Sequence, residues 1–330
     1  MTSHQVTLPR RQAGKSPSHQ LIAKKNKIIF LVGPTAIGKS EVALLLAKKI
    51  NAEIISCDSM QIYRGMDIIS SKPFPALRKK IRHHLIDSVA PTREYNVSRY
   101  YRDALKKARD ILGADKLPLF VGGTGLYMSI LIDGIFKLKK QDKSIRSRLY
   151  QQAEKFGNSV LYERLKEIDP LAARKIHPHD TKRLVRALEV FENTGRPISE
   201  LQKERKGLAA QYPVRIFALD MPRDKLYQRI NSRVEEMFGQ GLADEVKGLL
   251  RVRLSKTAAC AIGIKELKGY FDGDYSLEEA RRLIKKNTRN YAKRQLTWFR
   301  KDKRIEWVKV REKETAAAVA DRIFKKLRKA

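Results

Sequence analysis

Cysteine is scarce in this chain, which has only Cys57 and Cys260 among 330 residues. Two cysteines cannot form a disulfide scaffold, and no C-x-x-C pair is present that would indicate a structural zinc site. Long apolar runs are also missing, because no stretch approaches the ~18 residues that would indicate a membrane helix. The N-terminus lacks the apolar centre of a secretory signal. We therefore expect a cytoplasmic protein with no membrane partner.

Acidic residues are few, with 36 Asp and Glu against 70 Lys and Arg, so the formal net charge is +34. A charge of this size attracts polyanions, and it makes nucleic acid the first partner to consider. A basic surface that is merely solvated stays open as the alternative. Residues 1–26 contain basic residues and no acid, and we interpret them as a flexible basic tail.

Strand-like and helix-like patterns alternate along the chain. Apolar, β-rich runs occupy residues 27–32, 52–57, 117–122 and 214–219, with helical spacing between them. This alternation predicts an α/β fold with a parallel sheet, whose ligands bind at the carboxyl ends of the strands. No strand pattern appears between 136 and 205. Residues 276–301 are predicted to form a long basic helix, which begins with Ser276 and Glu279 as a capping box. The predicted domains are the tail, a core (27–135), a helical insertion (136–205), a second part of the core (206–310) and a basic C-terminal segment (311–330).

The segment "GPTAIGKS" follows the first apolar run and fits the P-loop pattern G-x-x-x-x-G-K-[ST]. In such a loop the backbone N–H groups and the next helix's N-terminus hold phosphates, the lysine reaches an outer phosphate and the hydroxyl can bind Mg²⁺. The expected phosphate-binding residues are Gly33, Pro34, Thr35, Ala36, Ile37, Gly38, Lys39 and Ser40, with Ser40 as the metal ligand. A nucleotide kinase, an ATPase and a transferase with a diphosphate leaving group all remain possible. The ATPase is weakened because the run 117–122 ends without an acid.

Several further motifs follow one another along the chain in the order of a known enzyme family. They are "IISCDSMQIYRGMDI", "HHLID", "VGGTGLY", "RLVRALEVFENTGRP" and "YAKRQLTWFR". Together with the P-loop they resemble the tRNA dimethylallyltransferases, in the bacterial form. The resemblance implies a P-loop NTPase-like core with a helical insertion, dimethylallyl diphosphate as donor, Mg²⁺ as cofactor, and a monomer. It also implies that the acceptor is N6 of the adenine immediately 3′ of the anticodon, within the tRNA anticodon stem-loop. A small-molecule kinase that uses ATP and a non-catalytic RNA-binding protein stay open as alternatives.

The same resemblance assigns roles to individual residues. It implies that Asp58 is the general base, that Thr124 lies beside the diphosphate and that Arg233 lies near the leaving oxygen. The implied tRNA contacts are Asp58, Ser59, Met60, Gln61, Arg146, Lys182, Arg183, Leu184, Val185, Arg186, Gly263, Lys265, Arg294 and Trp298. Trp298 and Phe299 could stack on bases or pack in the core. The chain departs from the family pattern at residues 69–71, where the family usually has a glycine, and at Ile264, where it usually has tyrosine.

Overall fold

The computed structural model of the protein describes residues 27–136 and 142–329, and these form two compact units. The first unit combines the described residues up to Met128 with those from Tyr212 onward, and the second unit is Ser129–Gln211. The basic tail predicted at residues 1–26 lies outside the described residues. No helix among the residues described here has the length and apolar character needed to cross a bilayer.

A six-stranded parallel sheet forms the centre of the first unit, in the order β3-β2-β4-β1-β5-β6. The strands are β1 (Ile28–Val32), β2 (Ala52–Ser56), β3 (His83–His84), β4 (Leu117–Gly122), β5 (Val214–Asp220) and β6 (Ile305–Lys309). All residues of β1 are buried, because helices cover both faces of a parallel sheet and leave no polar face. The α/β fold class and the four predicted strands are confirmed. Strands β3 and β6 were not predicted from the sequence.

The helices of the first unit follow the strands. They are α1 (Lys39–Ile50), α2 (Pro75–Lys80), α3 (Val97–Gly113), α4 (Gly125–Asp133, which continues into the second unit), α10 (Arg223–Gly239), α11 (Leu242–Leu249), α12 (Ile264–Phe271), α13 (Leu277–Phe299) and α14 (Ala316–Arg328). The second unit contains α5 (Lys143–Phe156), α6 (Asn158–Ile168), α7 (Pro170–Ala173), α8 (Thr181–Thr194) and α9 (Ile198–Lys203).

The long basic helix α13 begins where the sequence predicts, but its cap is only half of a capping box. Ser276 accepts a hydrogen bond from the backbone N–H of Glu279 at 3.2 Å. The Glu279 carboxylate pairs with Arg282 at 2.6 Å instead of returning to the Ser276 backbone. A guanidinium one turn later offers the carboxylate a charged partner, and this pairing replaces the second half of the predicted box.

The C-terminal segment is part of the core of the first unit. In α14, Val319, Ile323 and Leu327 are buried against the apolar face of α1. These residues recur at helical spacing among many lysines and arginines, so the overall basic composition of the segment hid an amphipathic helix.

The second unit is a helical bundle. Leu149, Leu161, Leu165 and Leu188 pack together in its core. Helix α8 is capped by the Asp180 side chain and ends at a left-handed glycine, Gly195.

Candidate active site

The P-loop lies between β1 and α1 and turns at positions that suit glycine. Gly38 has φ of +96° as the residue before α1, and a Cβ on Gly33 would lie 3.0 Å from the Leu219 backbone oxygen. Helix α1 then points its N-terminus toward the loop, and such a terminus attracts anions. The eight predicted phosphate-binding residues therefore form one continuous segment, which runs from the loop into the first two residues of α1.

Lys39 is folded over this turn. Its Nζ donates to the backbone oxygens of Gly33 at 3.0 Å and of Pro34 at 2.8 Å. The pKa of Lys39 is lowered to about 8, chiefly by burial and in smaller part by the nearby Arg233, while the Asp58 carboxylate opposes the shift. The ammonium group is thus held in a poorly hydrated place, where a bound anion would strongly stabilise it.

Asp58 and Thr124 come from neighbouring strands and meet at the carboxyl edge of the sheet. Asp58 Oδ1 accepts from the Met60 backbone N–H at 2.9 Å, and Thr124 Oγ1 accepts from Ser59 N–H at 3.2 Å. The two loops approach closely, because a Cβ on Gly122 would lie only 2.1 Å from the Cys57 backbone oxygen. Glycine at this position therefore allows the predicted base and the predicted threonine to share one site.

Arg233 enters the same site from α10. Burial lowers the pKa of its guanidinium, while the Asp58 carboxylate acts in the opposite direction. Asp58 thus interacts electrostatically with two cations, Lys39 and Arg233. The three side chains line one cavity of about 880 Å³.

Ser40 also faces this cavity, together with the carboxylates of Glu41 and Asp58. Oxygen atoms are the ligands that Mg²⁺ prefers, and it usually takes one or two of them from the protein and others from substrate phosphates. The Ser40 hydroxyl and a nearby carboxylate fit that pattern. Among the described residues there is no group of three or more His, Cys, Asp and Glu side chains suited to holding a metal.

Gln295 is a site residue that the sequence analysis missed. Its side chain is buried, and its Oε1 accepts from the Thr35 backbone N–H at 2.9 Å. Its Nε2 donates to the Gly123 backbone oxygen, also at 2.9 Å. One amide therefore ties α13 to both the P-loop and the loop after β4. A polar residue on the buried stripe of α13, which also includes Ala292 and Phe299, was the available signal.

Tyr291 lies one turn before Gln295 and was also missed. Its side chain lines the cavity. Burial raises the pKa of Tyr291, and the Asp58 carboxylate raises it further. The hydroxyl therefore stays protonated at neutral pH.

The aromatic pair near the end of α13 divides between two environments. Phe299 is fully buried, so its predicted alternative role in base stacking is wrong. Trp298 is 37% exposed, and its indole lies against Gly125, where a Cβ would come within 2.3 Å of Trp298 Cδ1. Arg294 is exposed on the same helix. The structure therefore leaves Trp298 and Arg294 accessible as the sequence analysis expects for RNA contacts.

The loop "DSMQ" places its remaining predicted contacts at the cavity edge. Ser59, Met60 and Gln61 are all half-buried. Gln61 Oε1 accepts from the Ser56 hydroxyl at 2.9 Å, and this contact orients the side chain, which lines the cavity.

The two departures from the family pattern are neighbours of one predicted contact. Gly263 has φ of +114°, and a Cβ there would lie 3.2 Å from Ile69 Cδ1. Ile264 is buried, whereas Lys265 is exposed. Glu245 accepts from the backbone N–H groups of residues 67, 68 and 69 at 2.8–2.9 Å and so holds this segment in place. Ile264 thus serves packing, and Lys265 remains available to a ligand.

The predicted contacts of the second unit differ in exposure. Lys182 and Arg183 are exposed, whereas Leu184 and Val185 are buried in the core of the unit. Arg146 and Arg186 both pair with Glu189, at 2.8 and 2.9 Å. Burial acts to raise the pKa of Glu189, but hydrogen bonds from the two arginines outweigh it and lower the pKa. The shared carboxylate holds the two guanidinium groups side by side.

Comparison with known proteins gives a consistent result. The family model described as IPP transferase matches residues 61–302. A tRNA dimethylallyltransferase of Geobacter sulfurreducens is 46% identical over 286 residues, covering 86% of this chain and 92% of the relative.

Solved structures with a similar fold are named for related activities. The full-length tRNA isopentenylpyrophosphate transferase of Bacillus halodurans is 37% identical with a TM-score of 0.67, covering 92% of this chain and 98% of the other. A eukaryotic dimethylallyltransferase, described as acting on tRNA, is 30% identical with a TM-score of 0.73, covering 86% of this chain and 73% of the other. Sequence and fold therefore agree on one family.

Proposed function

The chain belongs to the IPP transferase family as a tRNA dimethylallyltransferase, and we propose that it uses dimethylallyl diphosphate to modify N6 of the adenine immediately 3′ of the anticodon. The observation that carries this proposal is the position of Asp58, a carboxylate in the same cavity as the P-loop lysine and Arg233. This transfer requires a base, a diphosphate-binding loop with its lysine, and a second cation in one cavity.

The donor diphosphate would lie on the P-loop, held by backbone N–H groups, Lys39 and the N-terminus of α1. As the bond between the allylic carbon and oxygen breaks, its electron pair stays on the diphosphate. Lys39 and Arg233 stabilise that developing negative charge, and preorganised positive groups do this most effectively where water is scarce. The burial of both cations favours this role.

The acceptor is the N6 amine, a weak nucleophile because its lone pair is delocalised into the purine ring. Its nitrogen forms the new bond to the allylic carbon, and one of its protons passes to an Asp58 oxygen. General base catalysis of this kind typically contributes about 10²–10⁴-fold. The Met60 N–H at 2.9 Å holds Oδ1 and so orients the carboxylate.

Mg²⁺, which we propose as cofactor, would bind the Ser40 hydroxyl and supply positive charge to the diphosphate oxygens. Every other step uses the side chains already described. The action of the protein as a monomer and its location in the cytoplasm stay predictions.

We propose that the tRNA anticodon stem-loop is held by charge and by stacking. The target base must leave the anticodon stack, which costs a few kcal/mol, so other contacts must offset that cost. The net charge of +34 favours phosphate binding. Trp298 and Arg294 offer an exposed aromatic face and a cation on one helix, and bases in single-stranded loops stack on such faces.

A single-turnover assay tests the function. The protein is mixed with Mg²⁺, radiolabelled dimethylallyl diphosphate and an unmodified tRNA with adenine 3′ of the anticodon, and a second tube contains ATP and no RNA. We expect label in the tRNA, and none when that adenine is replaced. ATP consumption without transfer to tRNA would favour a small-molecule kinase and overturn the proposal.

A further inference from the structure

Helix α10 places a row of three cations beside the P-loop. Lys225, Arg229 and Arg233 follow one another at intervals of four residues, so they share one face of the helix, and all three line the cavity. Lys225 is paired with the Glu312 carboxylate at 2.8 Å. Arg233 interacts electrostatically with Asp58. Arg229 lies between these two cations on the helix.

Arg229 is in direct contact with the P-loop. Its guanidinium donates to the Ile37 backbone oxygen at 3.4 Å, and a Cβ on Gly38 would lie 3.7 Å from the same guanidinium nitrogen. The guanidinium therefore lies beside the turn that leads into α1, whose N-terminus attracts anions. Arginine has five N–H donors in a planar fork, so this bond leaves donors for a ligand in the cavity.

The charges around Arg229 are those of an anion site. Within residues 27–136 and 142–329, Arg229 forms no ion pair with a carboxylate, in contrast to Lys225 one turn earlier. Lys39, Arg233 and the N-terminus of α1 add positive charge to the same cavity. Like charges repel one another, and an anion bound among them replaces that repulsion with attraction. A guanidinium also matches the geometry of a phosphate group, to which it can donate two parallel hydrogen bonds.

The order of the cations along α10 suggests which phosphate each one faces. Arg233 interacts with Asp58, the proposed base, so it belongs to the end of the site where the allylic carbon reacts. Arg229 lies four residues earlier, about 6 Å along the helix axis, against the P-loop at Ile37. The phosphate attached to the allylic carbon would therefore face Arg233, and the terminal phosphate would face Arg229.

We propose that Arg229 is a further donor-binding residue, whose guanidinium binds the terminal phosphate of dimethylallyl diphosphate, the phosphate farther from the allylic carbon. This inference rests on the proposed function. Arg229 thus makes the site selective for a diphosphate donor over a monophosphate, whereas Arg233 acts on the bond that breaks.

The experiment compares the binding of two ligands to wild-type protein and to Arg229→Ala. The ligands are dimethylallyl diphosphate and dimethylallyl monophosphate, which lacks the terminal phosphate, and each is titrated with Mg²⁺ and without tRNA. Loss of a hydrogen bond between charged groups should raise the dissociation constant of the diphosphate by about 10- to 100-fold. The dissociation constant of the monophosphate should be nearly unchanged, because the group that Arg229 binds is already missing.

Two further variants complete the comparison. Arg223→Ala is the matched control, because Arg223 is exposed on the same helix and donates to the Tyr227 hydroxyl at 2.9 Å, outside the cavity lining. It should bind both ligands as the wild type does. Arg229→Lys keeps the charge but loses the planar fork, so its loss of diphosphate affinity should be intermediate. It takes the place of Arg229→Ala if that variant does not fold.

The choice of ligands separates phosphate binding from a role in shaping the loop. A loss of affinity that is equal for both ligands would mean that Arg229 only supports the Ile37 backbone, and it would overturn the proposal. Unchanged diphosphate affinity in Arg229→Ala would also overturn it. If the monophosphate binds too weakly to titrate, a methyl ester on the donor's terminal phosphate replaces it. That ester has one charge fewer there, so its loss of affinity should be smaller than that of the donor.

Failure of this inference is distinguishable from failure of the proposed function. Wild-type protein that transfers label to tRNA, together with either contrary result for Arg229, overturns the role of Arg229 and leaves the proposed function intact. Absence of transfer by the wild-type protein would overturn the proposed function itself.

Discussion

The charge of Lys39 should make donor binding depend on pH. Burial lowers its pKa to about 8, so the free protein loses this positive charge just above neutrality. A bound diphosphate is an opposite charge in contact with the ammonium, and it raises that pKa again. Binding above pH 8 therefore requires the uptake of one proton, and the affinity must fall as the pH rises.

The size of the effect follows from the same value. With a free pKa of about 8 and a bound pKa above the range tested, the dissociation constant should rise about 25-fold between pH 7.5 and pH 9.5. The ligand contributes little to this change, because a phosphate group with a second pKa near ~6 is already ionised. Calorimetric titration of dimethylallyl diphosphate without tRNA, at several pH values, measures it directly.

Lys39→Met is the control for this titration. It should bind the donor weakly and without the pH dependence, because the titrating group is gone. The same variant should be more stable than the wild type at pH 7. A lysine whose pKa is lower in the folded than in the unfolded protein destabilises the fold at every pH below its folded-state pKa. The difference in unfolding free energy between variant and wild type should therefore narrow as the pH rises from about 8 toward 10.5. A wild-type affinity that is flat with pH, or a slope retained by Lys39→Met, would refute the reasoning.

Three further perturbations test contacts around the site. Gln295→Ala leaves Thr35 N–H and Gly123 C=O without their partner, so we expect urea unfolding to show a loss of about 2–4 kcal/mol, whereas Gln202→Ala at an exposed position should cost little. Gly125→Ala must displace the Trp298 indole. In a Trp307→Phe background, where Trp298 is the only tryptophan left, its fluorescence should shift. The affinity for tRNA should fall about tenfold, while the affinity for the donor should be unchanged. Glu245→Ala removes the acceptor of three backbone N–H groups, so hydrogen exchange of residues 67–69 should accelerate at least about tenfold, and Asp244→Asn should leave it unchanged.

The sequence predicts the parts of this protein that repeat a local pattern. Apolar runs followed by the P-loop and by "DSMQ" are enough to bring Lys39 and Asp58 to one edge of a parallel sheet. The P-loop motif includes its own backbone requirements, so the sequence alone is enough to assign its eight residues. The buried stripe of α13 follows from helical spacing in the same way.

Contacts between distant segments could not be predicted. Gln295 lies 260 residues from Thr35, and no local pattern indicates that its amide reaches the P-loop. The strand β6 contains Glu306 and lies among lysines, so its composition resembles a solvated segment although it pairs with β5. The half-formed cap at Ser276 depends on competition between Arg282 and the backbone for Glu279, and only the arrangement of the side chains decides such a competition.

The measurement that tests the central claim most directly is the rate of the chemical step in Asp58→Asn. Protein already saturated with tRNA and dimethylallyl diphosphate is followed through one turnover, and the affinities for both substrates are measured separately. We expect a rate about 10²–10⁴-fold below that of the wild type, with both affinities nearly unchanged. A wild-type rate in this variant would show that Asp58 does not accept the N6 proton and would contradict the account.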